Sequence, residues 1–357
     1  MRTLYVHIGH GKTGTTALQR FCALNRRELA RRGLTYLRTG RQGIAHHALT
    51  VAFGWTAYAW IDRKVPPETL LRRFTQELRM LRGDALISSE TLSGMQDAEI
   101  ETLARAVPEG VRIRVLYYVR RQDRHAESAF NQAMKGRNSA RFASFEAYFE
   151  QRSGGGLFDY LGTAERWARI VGRENVIVRR YERSLLVGGD VSTDLCDAVG
   201  VDPAGLRAVP MAKGNPSLTP AGLDFRIAGR ARTIPNAGHF YLVAEAILPE
   251  GRKLVTEGSA PRFLSASERQ ALLANHADGN AELARRFLGI EDGVLFPGAE
   301  ADVAEPDPVE ALSRQELAEL SVGIWAELWP ALQRRTRQLW IAMGVAVVAG
   351  PGGAGGG

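Results

Sequence analysis

Leu4-Tyr5-Val6-His7-Ile8 is an apolar run that passes directly into Gly9-His10-Gly11-Lys12-Thr13-Gly14-Thr15-Thr16 and then into Ala17-Leu18-Gln19. The order reads as a buried strand, a glycine-rich turn and a helix. That shape binds phosphate. Glycines let the backbone turn tightly and aim several N–H groups at one point, where the positive end of the helix dipole adds to them. Lys12 sets a mobile ammonium beside that anion hole.

The spacing is not that of a nucleotide triphosphatase. G-x-x-x-x-G-K-[ST] requires a glycine five positions before Gly11, where Val6 stands. Gly14-Thr15-Thr16 follow the lysine, so the loop is too short to wrap a pair of phosphates. It suits one terminal phosphate, with Lys12 at the bridging oxygen.

A second strand-to-helix passage lies further along. Arg112 to Val119 is β-branched and aromatic, and Arg120 to Gln132 follows with helical spacing. Arg120 at the strand end and Ser128 eight positions on can clamp one further phosphate. Further strands are expected at Leu34–Leu37, Asp84–Glu90 and Asn175–Tyr181, with helices at Glu68–Leu81, Asp97–Ala106, Tyr160–Val171 and Ser184–Val199. Residues 41 to 67 read as irregular. Such alternation predicts an α/β fold: a P-loop-like parallel sheet flanked by helices, followed by a mainly helical C-terminal part. Ligands of these sheets sit outside the carboxyl ends of the strands, where Gly9 to Thr16, Glu90, Arg120 and Tyr181 all fall.

The first loop, together with Tyr118-Val119-Arg120 and Ser128, resembles the sulfotransferases that use 3′-phosphoadenosine 5′-phosphosulfate, bacterial members in particular. Weaker similarity runs through Tyr181-Glu182-Arg183-Ser184, Lys213 to Leu218 and Arg262-Phe263-Leu264-Ser265. The resemblance implies that this donor is the co-substrate and that no metal is required. It implies that Gly11, Lys12, Thr13, Gly14, Thr15 and Thr16 hold the 5′-phosphosulfate, that Arg120 and Ser128 bind the 3′-phosphate, and that Tyr181 packs near the adenine. Asn215 and Ser217 are further cofactor candidates. Lys12 is then catalytic at the leaving oxygen, and Glu90, after Ser88-Ser89, is the base that takes the acceptor's proton. His46-His47 is the competing base candidate; as a metal site the pair lacks further ligands at recognisable spacing. The acceptor is expected to be a carbohydrate, lipid or small metabolite. The alternative is a P-loop kinase or ATPase, favoured by Gly11-Lys12-Thr13 and opposed by Val6.

Composition adds boundaries. Of 357 residues, 46 are basic and 39 acidic, a net +7 that favours anionic partners. Dispersed arginines without an aromatic-basic motif argue against nucleic acid. Cys22 and Cys196 sit on apolar helical faces as buried thiols, not a disulfide framework. No secretory leader is legible, and Leu339 to Ala349, at 11 residues, falls short of the roughly 20 that span a bilayer; a cytoplasmic protein is expected. The domain plan is 1–300 for the catalytic domain, 301–312 for a linker, 313–349 for a helical extension and 350–357 for a glycine-rich, disordered tail. Ser313-Arg314-Gln315-Glu316 reads as a capping box, and Leu317, Leu320, Ile324 and Leu328 as an apolar face open to a second subunit or to its own domain.

Overall fold

Strand β1, Arg2–His7, lies at the centre of a five-stranded sheet in the order β2-β3-β1-β4-β5, where β2 is Leu34–Tyr36, β3 Asp84–Ser88, β4 Val111–Val119 and β5 Val176–Arg180. Every pairing is parallel. In this computed structural model, residues 1–56, 60–135, 144–153, 156–209, 217–223, 254–256, 262–298, 313–316 and 318–323 are described.

Side chains alternate across the strands, so each face builds its own core. Leu4, Val6, Ile87, Val115 and Tyr117 pack with residues of α3 (His47–Ala52), α4 (Pro67–Met80), α5 (Asp97–Ala106) and α8 (Tyr160–Val171), chief among them Leu49, Phe74, Leu103 and Trp167. Tyr5, Leu86, Leu116 and Tyr118 pack on the other face with Leu18, Phe21 and Cys22 of α1 (Thr15–Leu24), Leu29 of α2 (Arg26–Arg31) and Leu195 and Cys196 of α9 (Val191–Val199). Both cysteines are buried and free. The helix leaving β1 and the one following β3 thus cover opposite faces, which opens a crevice above the carboxyl ends of the central strands.

The expected alternation holds, with three differences. Residues 41 to 67 contain α3, whose Leu49 is fully buried. Residues 184 to 190 are not part of the helix after β5: Gly188 and Gly189 take positive φ, and Asp190 starts α9 by accepting from the N–H groups of Ser192 and Thr193. The third strand stops at Ser88, so Glu90 opens a short 3-10 turn, Glu90–Gly94. Two further helices precede α8: α6, Gln122–Lys135, and α7, Phe145–Ser153.

Two units divide the chain. The first, Met1–Phe130, Phe145–Lys213 and Arg262–Pro306, holds the sheet and all the site residues described below. Its later helices are α10, Ala266–Asn275, and α11, Ala277–Leu283. In the second unit, Asn131–Ser144, Gly214–Pro261 and Asp307–Gly357, β6 (Ser217–Leu218) pairs antiparallel with β7 (Val255–Thr256), and the Asn131 amide bonds both the N–H and the carbonyl of Leu218. The Ser313–Glu316 capping box is formed. Asn215, residues 301–312, most of the apolar face after Leu320 and the tail 350–357 lie outside the described residues. No described helix is long and apolar enough to cross a membrane.

Candidate active site

The loop after β1 is shaped by two left-handed residues. Gly14, at φ 76°, is the N-cap of α1, and Lys12, at φ 72°, is the one described non-glycine residue with positive φ. That conformation costs an ordinary residue about 1–2 kcal/mol. The Thr13 hydroxyl donates to the His10 carbonyl at 2.6 Å and so closes the turn from within; it is fully buried. Thr15 is buried and Thr16 exposed. No side chain caps α1 and no acidic residue stands in its first turn, so its leading N–H groups and dipole are available to an anion. A Cβ added at Gly11 would meet nothing within 4 Å, whereas one at Gly14 would lie 2.5 Å from the Tyr181 ring. One side of the loop is therefore open, and the other rests on the tyrosine that follows β5.

Arg120, one residue beyond β4, reaches across to this loop. Its Nη1 donates to the Lys12 carbonyl at 3.1 Å, and its guanidinium carbon lies 5.9 Å from the centre of the Tyr181 ring. Burial presses the Arg120 pKa down, Tyr181 opposes that shift, and the charge of Arg124 adds to it. Arg120 makes no ion pair among the described residues, which leaves a desolvated guanidinium suited to an incoming anion. Arg124 instead holds Glu182, its Nη1 donating to both carboxylate oxygens at 2.8 and 2.9 Å. Half-buried Ser128 lies one turn beyond Arg124 on the same side of α6. Lys12, Arg120 and Tyr181 are thus brought together by direct contact, while Ser128 joins them only through its place on α6.

Imidazole and phenol rings support the loop from below. His10 Nε2 bonds the Tyr117 hydroxyl at 2.7 Å. His125 Nδ1 bonds the Tyr160 hydroxyl at 2.8 Å, and that hydroxyl donates to the Arg120 carbonyl at 2.6 Å. Burial pushes the His10 pKa down to about 4 and that of His125 well below the ordinary range, so both rings are neutral at pH 7.

Glu90 stands beside the loop because β1 and β3 are neighbours, with His7 in register with Ser88. The Gln19 amide, on α1, donates to Ser88 Oγ and Glu90 Oε2, each at 3.2 Å. His47 Nε2 lies 3.9 Å from Glu90 Oε2, and its Nδ1 bonds Ser89 Oγ at 2.8 Å. Burial lowers the His47 pKa, and Glu90 pulls it partly back. His46 differs from its neighbour. It is fully buried, accepts from the Ser88 N–H at Nδ1 and donates from Nε2 to the Leu37 carbonyl, so both ring nitrogens are committed to structure. Below Ser88, His7 Nδ1 bonds Ser88 Oγ at 2.7 Å, while its Nε2 is buried without a partner among the described residues.

No family model matches the chain. An uncharacterised protein of Archaeoglobus fulgidus is 26% identical over 221 residues, covering 61% of this chain and 57% of that protein. The chain thus spans somewhat over half the length of this relative. Among solved structures, a sulfotransferase from Alicyclobacillus acidocaldarius aligns over 81% of this chain and 96% of its own with 16% identity and a TM-score of 0.46.

Gln19, His7 and the rings under the loop were not singled out by the sequence reading. Gln19 carries a local signal, since it lies four residues after Thr15 and therefore on the same helical face, pointing back toward the loop. The ring cluster carries none, because it joins residues of β4, α6 and α8 to the loop.

Proposed function

We propose that this protein transfers a sulfuryl group from 3′-phosphoadenosine 5′-phosphosulfate to a hydroxyl of a carbohydrate, lipid or small metabolite. The observation that carries the reading is the meeting of Lys12, in its left-handed turn at the uncapped start of α1, with the half-buried Arg120 guanidinium on its carbonyl. One anion site at the helix start and a second cation beyond the next strand suit a nucleotide with phosphates at both ends, and the uncapped N–H groups and unpaired guanidinium fit that donor.

In this scheme the N–H groups from Thr13 to Thr16 and the hydroxyls of Thr15 and Thr16 hold the 5′-phosphate. Arg120 and Ser128 hold the 3′-phosphate, with Tyr181 near the base. The donor supplies an activated sulfuryl group. The Lys12 ammonium stabilises negative charge as it develops on the departing oxygen, and Glu90 accepts the proton of the attacking hydroxyl. Gln19 holds the Glu90 carboxylate by a hydrogen bond to Oε2, with His47 close to the same oxygen. The scheme assigns no role to a metal ion.

Incubation with ³⁵S-labelled donor and a panel of sugars, phenols and lipids tests the proposal, with labelled product expected from the intact chain and none from Lys12→Ala. Calorimetry with adenosine 3′,5′-bisphosphate against magnesium ATP separates it from a kinase or ATPase, since the transferase binds the bisphosphate and the kinase prefers ATP. A Lys12→Ala protein with normal turnover overturns the proposal.

A further inference from the structure

Beyond the loop residues, a cavity of about 280 Å³ opens next to the edge strand β2, lined by Arg38, Thr39, Arg41, Asp62 and Arg73 over an apolar floor that includes Leu70. Among the described residues none of its three guanidinium groups is held in an ion pair, and Arg41 Nε is buried with no hydrogen-bond partner. Neither nearby acid is ion-paired with them among the described residues. The Glu77 carboxylate is taken by the N–H groups of Arg38 and Thr39, both at 2.9 Å, and Asp62 Oδ1 accepts from the Lys64 N–H at 2.9 Å. Arg38 and Arg73 are exposed and Arg41 is half-buried, and guanidinium groups gathered without acidic partners favour a bound oxyanion. In a larger concavity of about 520 Å³, bordered by α1, α2 and Arg207, Arg31 is paired with Glu28 and Arg207 donates to the Leu24 carbonyl.

The cavity is joined to Glu90 by a short run of contacts. His47, 3.9 Å from the Glu90 carboxylate, meets the half-exposed Trp60 ring edge-to-face at 4.8 Å. The Gln42 amide donates to the Trp60 carbonyl at 3.2 Å and accepts from the Asp62 N–H at 2.9 Å, which fixes Asp62 at the cavity wall. The loop that carries Arg38 and Arg41 leaves the carboxyl end of β2, so it stands at the same end of the sheet as Glu90 and on the far side from Arg120. Between Thr15 and His47 the chain carries seven arginines and one acidic residue, Glu28, a local excess of positive charge along this stretch.

We propose that this cavity binds a carboxylate or sulfate group of the acceptor while the acceptor's hydroxyl lies at Glu90, with Trp60 under the intervening ring. The acceptor is then an anionic molecule, such as an acidic glycoside, rather than a neutral one. The inference rests on the transferase reading for the word acceptor, but the anion site itself does not.

Calorimetry on the full chain saturated with adenosine 3′,5′-bisphosphate tests it, using methyl β-glucuronide, methyl β-glucoside and inorganic sulfate as probes. The glucuronide is expected to bind at least about tenfold more tightly than the glucoside, and Arg41→Gln and Arg73→Gln are each expected to weaken it about tenfold. Arg72→Gln, a neighbouring exposed arginine bonded to Thr69, serves as the control and leaves binding unchanged. Bisphosphate affinity stays the same in all three variants, which also reports that they are folded. Equal binding of the two glycosides, or glucuronide binding indifferent to Arg41 and Arg73, overturns the proposal. Arginine-dependent binding of sulfate with none of the glucuronide overturns the acceptor assignment. A chain that binds glucuronide through these arginines but not the bisphosphate keeps the anion site and discards the transferase reading.

Discussion

The Arg120 guanidinium donates to the Lys12 carbonyl at 3.1 Å, joining the ends of two adjacent strands across 108 residues of chain. One residue is thereby a candidate ligand for the donor and a brace for the strained loop that would carry the catalytic amine. Arg120→Gln is expected to weaken adenosine 3′,5′-bisphosphate by about 10- to 100-fold, the worth of a charge-assisted contact. Calorimetry of the variant measures this, and unaltered affinity removes Arg120 from the donor site.

Lys12 holds a backbone conformation that glycine adopts freely. Lys12→Gly should raise the unfolding free energy by about 1 kcal/mol by relieving that strain, whereas Lys12→Ala, which keeps a Cβ, should leave stability nearly unchanged. Both should abolish sulfuryl transfer. Urea midpoints set beside turnover test the pair of statements, and a destabilised glycine variant contradicts the strain.

Glu90→Gln should reduce turnover by about 100-fold or more with little effect on bisphosphate affinity, as expected for removal of a base. His47→Asn should cost less, because in the proposed scheme His47 acts only through Glu90, 3.9 Å away. A larger loss at His47 than at Glu90 transfers the base role to the imidazole. Steady-state kinetics on both variants decides.

Burial holds the pKa values of His7, His10 and His46 down at about 4, below the ordinary 6.5. Glu90 opposes the shift at His7, and hydrogen bonds to Leu37 and Ser88 oppose it at His46. The unfolded chain takes up protons at these sites as pH falls through 6.5, while the folded chain does not until about 4. Stability is therefore full above pH 6.5 and declines between 6.5 and 4, by about 1.4 kcal/mol per pH unit for each histidine. Urea unfolding at pH 7, 6 and 5 should show this decline, and a flat profile would falsify the neutral burial of these rings.

Arg269 on α10 is buried and binds both Asp123 and Glu127 of α6, and Glu127 also accepts from the N–H groups of Phe263 and Leu264 at 2.9 and 3.2 Å. Arg269→Ala leaves two buried carboxylates short of a partner, at an expected cost of about 3–5 kcal/mol. Hydrogen exchange at the Phe263 and Leu264 amides should rise with it. Protection equal to the unaltered chain means the network does not anchor this segment.

Most of the fold could be read along the chain. The strands of the parallel sheet are short apolar runs ending in glycine or polar residues, and α4, α5 and α8 keep helical spacing through well-placed starts and stops. The reading failed where local pattern and outcome differ. Asp84 to Glu90 looked like one strand, but Ser89 accepts from the Thr91 N–H and begins a turn, so Glu90 leaves the strand. Residues 184 to 190 looked helical, yet two positive-φ glycines precede the true cap at Asp190. Of the candidate site, the loop from Gly11 to Thr16, Arg120 and Glu90 were legible because each follows closely on a recognisable strand. The partners that orient them were not.

The sequence by itself determined the alternation of strands and helices, the glycine turn after β1 and the chemical types waiting at the strand ends, because these depend on hydrogen bonds and burial within a few residues. Only the tertiary structure decided that Gln19 reaches Glu90 across 71 residues and that Arg120 seizes the carbonyl of Lys12. Those contacts exist because β1 lies between β3 and β4 in a parallel register, and strand order is set by packing across the whole sheet rather than by any local pattern.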